Sequence, residues 1–254
     1  MLKTRIIPTL LRKNLGLVKG KNFTKLRRVT DVMPLIKIYN KRDVDELILL
    51  DVDASIDEKK INMDFISSLA KELNIPFSYG GGIKSFYDAK NILFSGADKI
   101  IMNSSIYNNI DLIDEINENI GAQSIIISID VKKIKNEYIC FSHSGTKNSG
   151  FELMNFLEKI SKKKFGELML CSIDHEGCMQ GYDLNLINKV SKKINIPLIA
   201  SGGAGSYKDM HDALKSGASA VAAGAIFHFT ELTPTGAKKY LHNLGISVRD
   251  GFKY

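Results

Sequence analysis

Tryptophan is absent from the 254 residues, cysteine occurs three times, and no apolar run approaches the roughly 18 residues of a membrane-spanning helix. Each shortage excludes something. Without tryptophan, without interleaved basic and aromatic residues and without a nucleic-acid motif, the formal charge of +7 does not point to a nucleic-acid partner. The lysines are spread along the chain, with small clusters at Lys132 to Lys135 and Lys162 to Lys164 that read as solvated surface. Cys140, Cys171 and Cys178 are odd in number and stand at neither CxxC nor metal-ligand spacing, so they read as reduced thiols. Met1 to Pro8 is too short for a secretory signal and runs into a basic stretch. A soluble, cytoplasmic protein is expected, with no membrane contact, metal or cofactor.

What is present is alternation. Short apolar runs at Ile6-Ile7, Leu47 to Leu50, Pro76 to Ser78, Ile100 to Met102, Ile125 to Ile129, Leu168 to Leu170, Pro197 to Ala200 and Ala220 to Ala223 give eight candidate strands. Segments of helical character lie between them, such as Asn62 to Leu73 and Tyr207 to Ser216, and Ser85 and Ser206 each precede an Asp by three residues, as in a capping box. Strand and helix in alternation mean parallel strands.

Half of the chain repeats the other half. Pro76 to Tyr107 aligns without a gap on Pro197 to His228, pairing Gly81 with Gly202, Gly82 with Gly203, Ser85 with Ser206 and Asp88 with Asp209. The same spacing pairs Glu46 with Glu167. Two four-stranded halves, about 1–122 and 123–254, closing into one (β/α)₈ barrel domain explain this better than an open doubly wound sheet.

Candidate chemistry gathers at strand ends. Gly80-Gly81-Gly82 follows the third strand and Ser201-Gly202-Gly203-Ala204-Gly205 the seventh, each before a helix, where backbone amides can approach a phosphate. Asn103-Ser104 and Gly224-Ala225 end the fourth and eighth strands and would complete two cradles, which suits a long ligand with a phosphate at each end. Asp51, Asp130 and Asp174 end apolar strands, and Asp130 is the best acid/base candidate. His175, Glu176 and Gly177 follow Asp174, but no second histidine completes a metal set. At the opposite strand ends Arg5, Glu46, Lys99 and Glu167 alternate in sign, although spacing alone makes them ordinary polar residues at strand starts.

Taken together, Arg5-Ile6-Ile7-Pro8, Val18-Lys19-Gly20, Gly80 to Ile83, Gly96 to Lys99, Asn103-Ser104, Gly181-Tyr182-Asp183, Ala200 to Gly205 and Phe227-His228-Phe229 resemble the cyclase subunit of imidazole glycerol phosphate synthase almost end to end. That family is the ammonia-using half of a glutamine amidotransferase in histidine biosynthesis. The resemblance implies a heterodimer with a glutaminase subunit, with Asp98 at the interface and Arg5, Glu46, Lys99 and Glu167 as a charged gate for ammonia. It also implies that Lys19 lies in a loop closing over a bisphosphate ribonucleotide, and that Asp51, Gly81, Gly82, Asn103, Ser104, Glu176, Gly177, Gly202, Gly203, Gly224 and Ala225 hold the ligand.

The resemblance breaks at the catalytic face. The family pairs a first-strand aspartate with a fifth-strand one, and this chain has Leu11 and Asp130. Glu176 replaces the usual Asp, Cys171 a Thr, and Gly224-Ala225 lacks the usual Ser. Loss of a positioned acid/base typically costs roughly 10²–10⁴-fold in rate. Three readings follow: a working cyclase relying on Asp130, a paralogue passing ammonia to another acceptor such as a surface sugar, and a barrel that only activates its glutaminase. Family membership favours the first, and Leu11 beside a complete charged set favours the second.

Overall fold

A computed structural model describes residues 3–249 except Leu15, Asp43 and Glu58. Met1, Leu2 and residues 250–254, which the sequence assigns to the ends of the two halves, lie outside the described residues. Twelve strands follow in chain order: β1 (Arg5–Lys13), β2 (Gly16–Lys21), β3 (Thr24–Asp31), β4 (Leu47–Asp51), β5 (Phe77–Gly80), β6 (Lys99–Met102), β7 (Ile125–Ile134), β8 (Glu137–Ser142), β9 (Lys147–Glu152), β10 (Glu167–Ser172), β11 (Leu198–Ser201) and β12 (Ala220–Ala223). Eight of them form a closed parallel barrel. The pairings run β1–β4–β5–β6–β7–β10–β11–β12, and β12 returns to β1 with Arg5 beside Ala220. The chain is a (β/α)₈ barrel.

The helices between strands bury one apolar stripe each against the outside of the sheet. Ile36 of α1 (Val32–Lys41), Leu69 of α2 (Met63–Glu72), Ile92 of α3 (Phe86–Phe94) and Ile116 of α5 (Leu112–Ile120) pack on outward strand residues such as Ile6, Leu49, Tyr79 and Ile127. The expected helix Asn62 to Leu73 runs from Met63 to Glu72, because Asn62 is the cap: its side chain accepts from the Phe65 N–H at 2.9 Å. At the start of α8 (Tyr207–Lys215) Ser206 and Asp209 form a full capping box. At Ser85 only half of it forms: the Ser85 side chain accepts from the Asp88 N–H, and the Asp88 carboxylate accepts from the Lys84 N–H and the Ser85 hydroxyl but not from the cap amide.

Two hairpins were not legible as strands. β1 continues past the barrel rim into an antiparallel pair with β2, which pairs with β3, and β7 does the same with β8 and β9. The first strand therefore extends to Lys13 and the fifth to Ile134, where the apolar runs end at Ile7 and Ile129. The outer parts are polar because they pair above the barrel, not in its core. β2 recurs as β8 121 positions on (Gly16 to Glu137), and β5, α3 and β6 recur as β11, α8 and β12 at the same spacing (Phe77 to Leu198).

Gly203 shows how tightly the rim is set. Its φ is +118°, and a Cβ there would collide with the carbonyl oxygen of Gly181. Gly203→Ala is expected to cost about 2 kcal/mol or more, which a thermal melt reads as a fall of several degrees.

Candidate active site in the barrel mouth

Strand residues alternate between the two faces of a sheet, so each barrel strand sends every second residue inward. Along β1 the inward series is Arg5, Ile7, Thr9, Leu11; along β7 it is Ile126, Ser128, Asp130; into and along β10 it is Glu167, Met169, Cys171. These series stack as tiers. The lowest tier is charged. Arg5 donates to Glu46 at 2.7 Å and pairs with Glu167, and Lys99 lies 3.3 Å from Glu46 and 2.6 Å from Glu167. The four side chains thus close a ring, and Ser78 Oγ adds a hydrogen bond to Glu46 at 2.7 Å. Burial alone pushes the Glu167 carboxyl up, but the Arg5 and Lys99 donors together outweigh it and hold it below the usual range. Asp98 is exposed beside this end, and its carboxylate accepts from the Phe77 N–H at 2.9 Å.

Above the ring lies an apolar tier of Ile7, Ile48, Ile101, Ile126, Met169 and Ile199, with Ala220 and Ala222. Above that opens a cavity of about 430 Å³ at the carboxyl ends of the strands. Its lining brings together Asp51, Gly81, Gly82, Asn103, Ser104, Asp130, Glu176 and Gly224, with Leu11 and Cys171. Lys19, Gly177, Gly202, Gly203 and Ala225 are not in the lining. The first cradle is open to the cavity, whereas the second is covered: Lys19 stands over Gly224, and the Gly181 carbonyl over Gly203.

Asp130 is the cavity carboxyl whose titration is shifted furthest. Burial, then the charge of Glu176, push its carboxyl up to about 7, against a hydrogen bond from Asn103 Nδ2 at 3.0 Å. Burial and the same two carboxylates keep the Cys171 thiol far above its ordinary value, so it is no thiolate nucleophile. Leu11 faces the same space from the other side. Register fixes its equivalence: Leu11 pairs with Leu50 and Asp130 with Cys171, and Leu50 and Cys171 are the same rung of the repeat.

Asp51 lines the edge of the cavity, but its carboxylate is engaged by Arg12. It is cross-strand to Arg12, and the two form a buried ion pair with the Arg12 guanidinium 4.3 Å over the Phe65 ring. Burial and a hydrogen bond with Asp53 raise the Asp51 carboxyl to about 6, against the pull of Arg12. Asp174 accepts from the Lys133 N–H at 2.8 Å, and His175 Nδ1 lies 2.7 Å from the Gly181 carbonyl, so both fix the loop after β10.

The hairpin β2–β3 folds over the mouth. The Asn22 N–H donates to the Glu176 carbonyl at 2.8 Å, and its side-chain amide donates to the Asp174 carbonyl at 2.7 Å. Lys19 is carried inside, buried, with its amine on the Thr9 carbonyl at 3.1 Å; burial lowers its pKa. From the second hairpin the His143 N–H donates to Ser104 Oγ at 2.9 Å. Sequence reading missed Thr9 and Ser128, which line the cavity two residues before Leu11 and Asp130, although the strand period alone places them on the same inward face.

Residues 5–233 match the family model described as histidine biosynthesis protein. The chain belongs to that family. The subunit HisF of imidazole glycerol phosphate synthase from Natranaerobius thermophilus is 40% identical over 250 residues, covering 98% of this chain and all of the relative. Subunits HisF from Thermotoga sp. strain RQ2 and Sulfurisphaera tokodaii are 37% and 39% identical over 249 residues, again 98% of this chain and 98% and 100% of theirs.

Glu167 in the ring and Asp130 in the cavity of this histidine-biosynthesis barrel respond to pH in opposite ways. Glu167 titrates below its unfolded value, so its contribution is full above about pH 4.3 and is lost as pH falls through the folded value. Glu167→Gln leaves two cations facing one carboxylate; a loss of about 1–3 kcal/mol near neutral pH is expected, shrinking in melts below pH 4. Asp130 titrates above its unfolded value, so its burial costs stability increasingly from about pH 4 up to 7. Asp130→Asn is expected to melt higher than the natural chain at pH 8 and equally at pH 4.

Proposed function

We propose that this barrel is the ammonia-using cyclase subunit of a glutamine amidotransferase, one domain of two half-barrels, 1–122 and 123–254, working in the cytoplasm as a heterodimer with a glutaminase. The observation that carries this is the stacking of charged ring, apolar tier and cavity on one set of inward residues. A glutaminase docked beside Asp98 would deliver ammonia at the ring of Arg5, Glu46, Lys99 and Glu167. The apolar tier favours NH₃ over NH₄⁺, because an unpaired charge there costs many kcal/mol while a small neutral molecule does not. Ammonia would then reach a ligand held through one phosphate by Gly81, Gly82, Asn103 and Ser104. A second phosphate would meet Gly202, Gly203, Gly224, Ala225 and the Lys19 ammonium, with Gly177 packed beneath the closed hairpin. Asp130, with a carboxyl titrating near neutrality, is suited to give or take a proton at the reacting centre. Asp51, in the cavity lining and paired with Arg12, would hold the ligand site from the strand ends.

A second reading has the same conduit but a different acceptor, and Leu11 on the rung equivalent to Asp130 favours it. Turnover of the bisphosphate ribonucleotide with excess ammonium salt, in the natural chain and in Leu11→Asp, separates the two. The cyclase reading expects measurable turnover in the natural chain, with Leu11→Asp within about tenfold of it. No turnover in the natural chain and activity gained in Leu11→Asp would establish a diverted acceptor.

A further inference from the structure

Leu11 and Leu50 put no charge on their side of the cavity, and besides Asp130 and the Arg12-paired Asp51 the lining has one more carboxylate. Glu176 lines the same space as Asp130, on the turn after β10, and its backbone is held from both sides. Its N–H donates to the Ser172 carbonyl at 3.0 Å, and its carbonyl receives the Asn22 N–H at 2.8 Å when the hairpin is down. Its carboxylate oxygen Oε2 lies about van der Waals distance from the Cβ position of Gly202, 3.5 Å, at the edge of the second cradle. Among the described residues no hydrogen bond or ion pair engages that carboxylate, and the Lys19 ammonium is the cation whose charge it feels. A carboxylate is a poor phosphate ligand, since like charges repel in a low-dielectric pocket. A carboxylate on a held backbone, sharing the cavity with the part-buried Asp130, fits proton transfer instead.

We propose that Glu176 is a catalytic residue, the general base that replaces the first-strand carboxylate and works as a pair with Asp130. The proposal rests on the ammonia-using reading above. In the addition step the nitrogen lone pair of ammonia forms a bond to an electrophilic carbonyl carbon of the ligand, and the C=O π pair moves to oxygen. The new N–H⁺ gives its proton to the Glu176 carboxylate while Asp130, in its neutral form, gives its proton to that oxygen. One proton is taken and one given, the product is a carbinolamine, and the negative charge passes from Glu176 to Asp130. Loss of water reverses the roles: Glu176 returns its proton to the departing hydroxyl and Asp130 accepts one from nitrogen. The charge of Glu176 on Asp130 is already felt in the latter's raised titration, the mark of two carboxyl groups set apart for opposite tasks. The hairpin bond from Asn22 to the Glu176 backbone gives closure a direct hold on the base.

The test compares the natural chain, Glu176→Gln and Glu176→Asp, using the bisphosphate ribonucleotide and saturating ammonium chloride from pH 5 to 9. Glu176→Gln is expected to lower kcat by roughly 10²–10⁴-fold with KM within about threefold, and to lose the acidic limb of the pH profile, while Glu176→Asp keeps that limb. A raised KM with kcat intact, or an unchanged pH profile, overturns the proposal. The double variant Leu11→Asp with Glu176→Gln is expected to regain kcat over Glu176→Gln alone. If the natural chain shows no turnover, the cyclase reading falls by itself. The pair is then judged by carboxyl NMR of Asp130: a titration midpoint lowered by about one pH unit in Glu176→Gln supports it, and an unmoved midpoint overturns it.

Discussion

Inside a closed barrel every strand has one inward position in two, and the neighbouring strands fix its height. That constraint makes a ladder of tiers out of a string of residues. Arg5, Ile7, Thr9 and Leu11 are neighbours in sequence only by twos, yet they mark four depths along one axis, from ion-pair ring through hydrocarbon to a polar mouth. A one-residue slip of β1 would exchange Leu11 for Arg12, Ile7 for Pro8 and Arg5 for Ile6, breaking ring and mouth together. Arg12 is equally committed: with Asp51 it makes a buried pair that holds the ends of β1 and β4 side by side.

The two hairpins belong to the mouth and not to the barrel. They are built as extensions of β1 and β7, the strands that carry Leu11 and Asp130, so the covering of the cavity and its chemical rung share backbone. The latch from Asn22 to the loop after β10 ties this covering to the turn that carries Glu176.

Much of this was legible in the sequence because it follows from local rules. Apolar runs separated by helical segments gave the eight barrel strands, and the repeated glycine and serine positions gave their pairing in two sets. The hairpin strands were not legible, because Lys-Gly-Lys, Leu-Arg-Arg and Lys-Asn-Ser stretches carry no apolar run when both faces meet solvent or the mouth. Asp51 ends a strand and lines the cavity, but the partner of its carboxylate was not legible. Only the cross-strand register shows Arg12 beside it, and register is a relation between segments 39 residues apart. The half-formed box at Ser85, against the full one at Ser206, was not legible either: the spacing is identical and both carboxylates accept the preceding amide, of Lys84 or Gly205, but only Asp209 also accepts from its cap amide.

Position 224 has no side chain, and the space one would fill holds the Lys19 amine. The hairpin tip and the last barrel strand are therefore a key and its slot, contributed from opposite ends of the chain. A side chain at 224 and the present rotamer of Lys19 exclude one another, so the bare backbone there sets how deep the hairpin's amine can sit.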